Sequence, residues 1–543
     1  MTITPRSIVR SLAISTLSPV HIGCDEVYEP SGFVIHDELL HVLDPADLAT
    51  ALTDNERRKL ATLADQREPI GALQRFFRDA AARFSELARQ QVAVAPELAR
   101  EYAVKAGRPT QRDPNGEATY NSFQFARTAF RPFDGTPYLP GSSLKGSIRT
   151  AWLNYLNAEK PLSPAEKTDR RHASQSLEQR LLEYAAGKFQ DDPFRQLALA
   201  DAHPEEESTP PPTRVLYAIS KKKRQPRADD RLSPELKVFL ETIPEALPAA
   251  FLGEIRFAPG ATIRWDALCD ACNAFYRPQL EGELQHPVLS APLDSDWVRL
   301  IYRLLGDELG ELIKARQGFL LRVGRHSGAE SVTLGGVRSI KIMRPDGQRP
   351  EYRPITTEKR YATLSRAGNG GLLPFGWLWV DACDDRHRHL SDAIRQKLAM
   401  RSRPLREAHQ ERLLRLEDKA AQRAAVAAAT ADRKAAAEAA ALAEAAAQQE
   451  RDSALTRMSP NRRRVEEFIA EFAARAGQLR GRPENPNGVF HDKARALARD
   501  AAAWDQEERA AAADAIEQWL PKVVRVDIRD ERRKLKLAAL RIA

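Results

Sequence analysis

Long apolar runs are missing from this chain. No stretch of about 18 apolar residues occurs, and the opening MTITPRSIVRS lacks the pattern of a secretory leader. The expected location is therefore the cytoplasm, with no membrane partner. Cysteine is scarce as well: Cys24, Cys269, Cys272 and Cys383 are too few for a disulfide framework in 543 residues. Cys269 and Cys272 form a CDAC pair, but zinc needs two further ligands, no second CxxC exists, and His286 follows only at a distance. The alternative is two small core-facing side chains on a helix, and no metal or cofactor is expected. Glycine and proline are both absent between Pro404 and Pro460, which excludes tight turns there.

What is present is length and charge of both signs. The size exceeds what one core organises, so two to four domains are expected. Charged residues make up 29% and the formal net charge is +8, a moderate basic excess that suits an RNA or DNA partner without proving one.

The most informative stretch is YLPGSSLKGSIRTA, Tyr138 to Ala151. Pro140 and Gly141 break any preceding element, Ser142 or Ser143 is a good N-cap, and Leu144, Ile148, Ala151, Trp152 and Tyr155 follow at helical spacing. Lys145 and Arg149 stand one turn apart on the other face, near the positive end of the helix dipole, a place that attracts phosphate. Two solvated cations on a capped helix are the alternative. A nucleotide P-loop fits less well, because the lysine precedes the second glycine, Gly146.

In chain order, residues 7–22 alternate like a strand ending near Pro19, and short strands are expected at Gly32–Ile35 and Leu39–Leu43, turning at Asp37 and Glu38. HIGCDEVYEPSG between the first two reads as a loop carrying His21, Cys24, Asp25 and Glu26. From Pro45 to Lys105 the pattern is helical. Strands are expected in NSFQFARTAF, RVLYAIS and AAFLGEIRFAPGATIRW, and strand entry in DDPFRQLALADA; helices are expected over Trp265–Tyr276 and Asp296–Ala315. KKKRQPRADDR, from Lys221, is either a solvated hairpin tip or a tracker of a phosphate backbone.

GFLLRVGRHSGAESVTLGGVRSIKIM is the second stretch of high information. A strand reaches Val323, a loop follows through Gly324, Arg325, His326, Ser327 and Gly328, and SVTL and VRSIKI read as strand again. Glycine lets backbone approach a ligand closely, and the Arg, His and Ser offer donors to phosphate or base. A structural turn remains the alternative. GLLPFGWLWVDA is the expected last strand. The alanine-rich stretch after Pro404, if fully helical, would extend on the order of 80 Å, and lacks a leucine-zipper seam. Short amphipathic helices of a small separate domain follow.

LSPVHIG at residues 17–23, YLPGSSLKGSIRTA at 138–151, DPFRQLALAD at 192–201 and LLRVGRHSGAESVTL at 320–334 together resemble the RAMP (repeat-associated mysterious protein) superfamily of CRISPR effectors. Within it they look like the type III-A Csm-complex subunit that caps the backbone filament at the 3′ end of the crRNA. The resemblance spans roughly the first 385 residues. It implies an α+β fold of tandem ferredoxin-like (RRM-like) RAMP domains with helical insertions, plus an all-α C-terminal extension. Residues 1–246 would form the first such domain, with a helical insertion at about 45–105, and residues 247–400 the second. Residues 401–460 would be a long alanine-rich helix or linker, and 461–543 a small helical domain.

The function implied is a non-catalytic subunit that binds the spacer-derived 3′ part of the crRNA and supports crRNA 3′-end maturation in antiviral defence. Target RNA in the assembled complex, the repeated RAMP backbone subunit, the small subunit and host trimming nucleases would be its partners. Carried over by motif, His21, Gly23, Ser142, Ser143, Lys145, Arg149, Gly324, Arg325, His326, Ser327 and Gly328 would face RNA, with Arg338 and Lys341 extending that surface. Cys24 stands where a small hydroxyl residue is common, and the extension beyond about residue 400 has no counterpart in the pattern. The alternative function is a RAMP-family endoribonuclease, with Asp25 and Glu26 on a metal or His21 and His326 moving protons.

Overall fold

Alternation in IVRSLAIST makes Ile8–Thr16 a strand whose inward residues, Leu12 and Ile14, are fully buried. It forms the middle of a five-stranded antiparallel sheet in a computed structural model that describes all residues except 1–5, 67–69, 113–117, 122, 169–170, 207, 226–237, 345–347, 383, 480 and 543. Parts of the 107–120 loop and residues 226–231 of the basic, proline-broken stretch, as well as Cys383, thus lie outside the described residues. The chain divides into two units, Met1–Ala421 and Gln422–Ala543, and the division falls inside one helix, Arg388–Arg457.

The order of the five-stranded sheet is Gly318–Arg322, Trp377–Asp381, Ile8–Thr16, Phe251–Phe257 and Leu197–Leu199. Ile14 sits opposite both Phe251 and Val380. Helix Trp265–Leu284 covers its edge, and Asn273 locks the two together: its Nδ2 donates to the Gly318 carbonyl (3.0 Å) and its Oδ1 accepts from Leu320 N (3.0 Å). Cys269 and Cys272 lie on this helix with no exposed surface, and burial pushes both thiols up. They are core residues. The next helix, Ser295–Gly306, starts where Asp294 accepts from Trp297 N (2.7 Å). Trp297 is itself buried and donates through Nε1 to the Leu17 carbonyl (2.6 Å), fixing the chain as it leaves the first strand.

The larger sheet runs Gly23–Tyr28, Phe125–Thr128, Val238–Thr242, Arg214–Lys222, Gln90–Val94, Leu39–Val42, Phe33–His36, with Glu358–Thr363 also on Arg214–Lys222 and Leu373–Pro374 beyond it. Strands on either side of residue 247 enter both sheets: the first strand pairs with Phe251–Phe257, and Glu358–Thr363 pairs with Arg214–Lys222. The α+β class therefore holds, with an apolar core shared by the two sheets through Leu17, Val20, Trp297, Leu320 and Trp377.

Several local expectations are corrected. HIGCDEVYEPSG is not wholly a loop, because Gly23–Tyr28 pairs with Phe125–Thr128 across an irregular register. The 45–105 segment is not helical throughout: five residues, Gln90–Val94, form a strand between Leu39–Val42 and Arg214–Lys222. SVTL is not a strand; a short 3-10 turn, Ala329–Ser331, leads into it. Neither Ser142 nor Ser143 caps the helix, which runs from Gly141 to Asn157 behind Pro140. The helix expected after Pro404 begins at Arg388 and carries through that proline. The tight turn at Asp37 and Glu38 is present, both residues having positive φ (48° and 59°), as a two-residue hairpin of right twist requires.

In the second unit, helices Pro460–Leu479, Val489–Ala501 and Gln506–Val523 enclose an alanine-rich core around Phe472, Ala494, Ala512, Ile516 and Leu520. Small residues there let helices approach closely.

Candidate nucleic-acid interface

The segment Leu17–Ile22 threads between the two sheets and is tied to both. Val20 N donates to the Ile243 carbonyl (2.9 Å) and Ile243 N returns the bond (2.8 Å), while Leu17 N donates to the Trp377 carbonyl (2.9 Å). Gly376, at φ +89°, donates to the Pro19 carbonyl (2.8 Å) and accepts from Val323 N (2.9 Å), which brings the end of strand Gly318–Arg322 to the same place.

At this seam the glycine-rich loop closes onto His21. Gly324 has φ +78°, and a Cβ there would stand 2.2 Å from the His21 carbonyl oxygen, so the position accepts glycine alone. The next amide, Arg325 N, donates to that oxygen at 2.8 Å. Arg325 itself is exposed, His326 is half-buried at φ +67° against Phe375, and Gly328 has φ +90°. Ser327 is buried and its carbonyl accepts from Ser331 Oγ (3.0 Å).

His21 is 1% exposed, and its Nδ1 lies 2.7 Å from the Glu241 carbonyl oxygen. Burial holds its pKa down at about 4, against the carbonyl bond that favours protonation. Burial, with Arg360 and Arg325 nearby, likewise holds His326 at about 3. Both imidazoles are neutral at neutral pH.

Two acidic residues that sequence reasoning missed organise the seam. Glu241 is buried in strand Val238–Thr242; its carboxyl accepts from Tyr28 OH (3.0 Å), Thr213 Oγ1 (2.8 Å) and Thr128 N (3.2 Å). Burial raises its pKa, with Arg127 opposing. Glu330 anchors the far side of the loop, accepting from Lys223 Nζ (2.5 Å), Thr356 N (2.9 Å) and Thr356 Oγ1 (2.7 Å). Burial alone would raise its carboxyl, but these bonds pull it down to about 2. The one sequence signal for Glu241 is a lone acid inside the apolar run VFLETI.

The helix start is reached differently. Ser147 Oγ donates to the Arg322 carbonyl (3.0 Å), and Tyr276 OH donates to the Ser147 carbonyl (3.0 Å), so helix Gly141–Asn157 is fastened to the strand that delivers the loop. Its basic residues look elsewhere. Lys145 Nζ donates to the Leu197 carbonyl (2.6 Å), and Arg149 lies between Glu178 (2.9 Å) and Asp192 (2.8 Å) over the Phe194 ring. Asp201, not a serine, accepts from the first helical amide, Gly141 N (2.7 Å), leaving Ser142 exposed and Ser143 half-buried. Arg338 is folded back on the carbonyls of Thr333 and Glu330 (3.2 and 3.1 Å). Lys341 is exposed on the separate hairpin strand Ile340–Ile342, and Gly23 is exposed at the start of its strand. The structure thus gathers His21, Gly23 and the whole Gly324–Gly328 loop, and holds Lys145, Arg149 and Arg338 in internal bonds.

Comparison with known proteins follows these landmarks. The RAMP superfamily model matches residues 13–276. A Streptococcus thermophilus protein described as CRISPR system Cms protein Csm5 is 22% identical over 310 residues, 54% of this chain and 80% of the relative. Among solved structures, a cryo-EM Csm–crRNA–target RNA ternary complex of a type III-A CRISPR-Cas system contains a chain matched at TM-score 0.43 and 17% identity, covering 69% of this chain and 100% of that one. The crystal structure of T. onnurineus Csm5 is matched at TM-score 0.42 and 18% identity, covering 68% and 99%. Residues 13–276 are thus a RAMP superfamily domain, carried within a longer chain.

Proposed function

We propose that this chain is a non-catalytic crRNA-binding subunit of a type III-A Csm effector complex, placed at the crRNA 3′ end and supporting its maturation. The observation that carries the reading is the Gly324–Arg325 clamp on the His21 carbonyl. It fixes an exposed guanidinium and a glycine-rich backbone where the two sheets meet, a surface that holds phosphates without reading bases. A guide-binding protein needs that property, since each guide differs. The name of the Streptococcus relative supports the complex.

Crowding by burial also favours binding over catalysis. Neither His21 nor His326 is an imidazolium near neutrality, so neither would serve as the general acid of an endoribonuclease. Partners on this reading are the crRNA, target RNA in the assembled complex, the repeated RAMP backbone subunit, the small subunit and host trimming nucleases. Co-expression with the neighbouring genes and a CRISPR array, followed by sequencing of the co-purified RNA, tests it. Spacer-containing RNA with defined 3′ ends is expected for the wild type, and longer or absent guides for Arg325→Glu. Identical RNA from both proteins would refute the role given to the clamp.

A further inference from the structure

The seam contains more than cations. A carbonyl oxygen only accepts, so the 2.7 Å approach of His21 Nδ1 to the Glu241 carbonyl requires the imidazole proton to sit on Nδ1. In the neutral ring Nε2 then presents a lone pair. That atom is buried and has no hydrogen-bond partner among the described residues, and the same holds for His326 Nε2 and for Ser220 Oγ, which lies opposite Arg360 in the strand ladder. Buried polar atoms normally find partners, and one left without is an acceptor waiting for a donor.

What covers His21 Nε2 is the residue with no side chain. A Cβ on exposed Gly23 would stand 3.7 Å from Nε2, so glycine leaves there the space that any other residue would fill. The incoming group must therefore be a small donor on a ligand that also carries phosphates for Arg325 and Arg360. In a polynucleotide, the ribose 2′-hydroxyl is such a group, adjacent to the phosphate and absent from DNA.

We propose that His21 Nε2 accepts a hydrogen bond from a ribose 2′-hydroxyl at this seam, and that Gly23 and His21 together make the site selective for RNA over DNA. The inference rests on the RNA-binding reading above and adds the specificity-determining residue. His21 is held as an acceptor by the Glu241 carbonyl, and Gly23 puts only backbone, with no side chain, over its Nε2.

The test uses the full-length protein and three single-stranded oligonucleotides of one sequence: RNA, DNA and 2′-fluoro RNA, which keeps the ribose pucker but cannot donate. Fluorescence anisotropy is expected to show RNA bound about tenfold more tightly than 2′-fluoro RNA or DNA, the size of one hydrogen bond to an otherwise unsatisfied buried acceptor. Gly23→Ala should bring that ratio close to one. Gly23 is an extended-strand residue without positive φ, and its added methyl meets ordinary van der Waals distance, so the variant is expected to fold. His21→Phe should do the same where it folds, and Gly23→Ala decides where it does not. Equal binding of RNA and 2′-fluoro RNA, with Arg325→Glu weakening both, overturns the inference and leaves the RNA-binding reading standing. A preference that survives Gly23→Ala also overturns it. No binding of any oligonucleotide by the wild type overturns both.

Discussion

Gly324→Ala puts a methyl where the structure has no room, and its cost can be worked from two terms. Alanine held at φ +78° in the left-handed region costs about 1–2 kcal/mol. The methyl would stand 2.2 Å from the His21 carbonyl oxygen, so the loop must lift and the Arg325 N bond is lost, leaving a buried carbonyl unsatisfied at about 1–3 kcal/mol. The sum is about 2–5 kcal/mol on the first unit. Gly146→Ala is the internal control: it lies mid-helix with open space around its Cβ position, where alanine is favoured by about 1 kcal/mol. Chemical denaturation followed by near-UV circular dichroism compares the two. The first unit holds five of the seven tryptophans and the second holds Trp504 and Trp519, so intrinsic fluorescence mixes the two units and the aromatic dichroism of the first unit's core is preferred. If Gly324→Ala is as stable as Gly146→Ala, the clamp on His21 does not exist as described.

Acidification should weaken the first unit. His21 has a folded pKa of about 4 against an ordinary 6.5, so the unfolded chain binds more protons between those values. The contribution is complete above pH 6.5 and is lost as pH falls to about 4; a lowering of that size is worth on the order of 3 kcal/mol for this buried ring. Thermal melts at pH 7, 5.5 and 4.5 check the direction, and a stability that rises on acidification would contradict it. Glu283→Gln should cost about 3–5 kcal/mol, because Glu283 pairs with buried Arg322 (2.8 Å) and accepts from Lys359 and from Trp377 Nε1 (2.9 Å), and its removal leaves Arg322 uncompensated. Denaturant midpoints would show it. Phe472→Ala removes a buried ring stacked on Phe468 (3.9 Å) and should cost the second unit about 3–5 kcal/mol, leaving the melting of the first unit unchanged by calorimetry.

The strands with clean alternation or continuous apolar character, such as IVRSLAIST and WLWVD, were legible from residues alone, because each has one neighbour-independent reason to be buried. Glu358–Thr363 was not, since EKRYAT begins with charges; Lys359 faces inward there because Glu283 waits for it, a partner 76 positions earlier. Gln90–Val94 is too short to show its period within helical surroundings. SVTL has strand-forming residues, yet Gly328 at φ +90° and the bonds of Glu330 to Lys223 and Thr356 turn the chain away first. Local propensity lost to tertiary contacts in each case.

The site divides along the same physical line. Glycines announce themselves, because a backbone that must approach another backbone needs the same residue whatever the surroundings, and Gly324 meets that need against His21. Charged side chains do not. Arg149 and Arg325 are the same residue in similarly suggestive settings, but Arg149 has two carboxylates within 3 Å and Arg325 is exposed at the seam. The sequence around Arg149 contains neither Glu178 nor Asp192 at a spacing that forecasts the pairing, so a cation's availability is decided by the fold. Hence the loop at Gly324–Gly328 is the stronger candidate for RNA, and Arg149→Ala should lower stability more than it lowers RNA binding, the reverse of Arg325→Ala. Parallel melts and anisotropy titrations of the two variants separate these effects, and equal losses of RNA affinity would return the helix start to the interface.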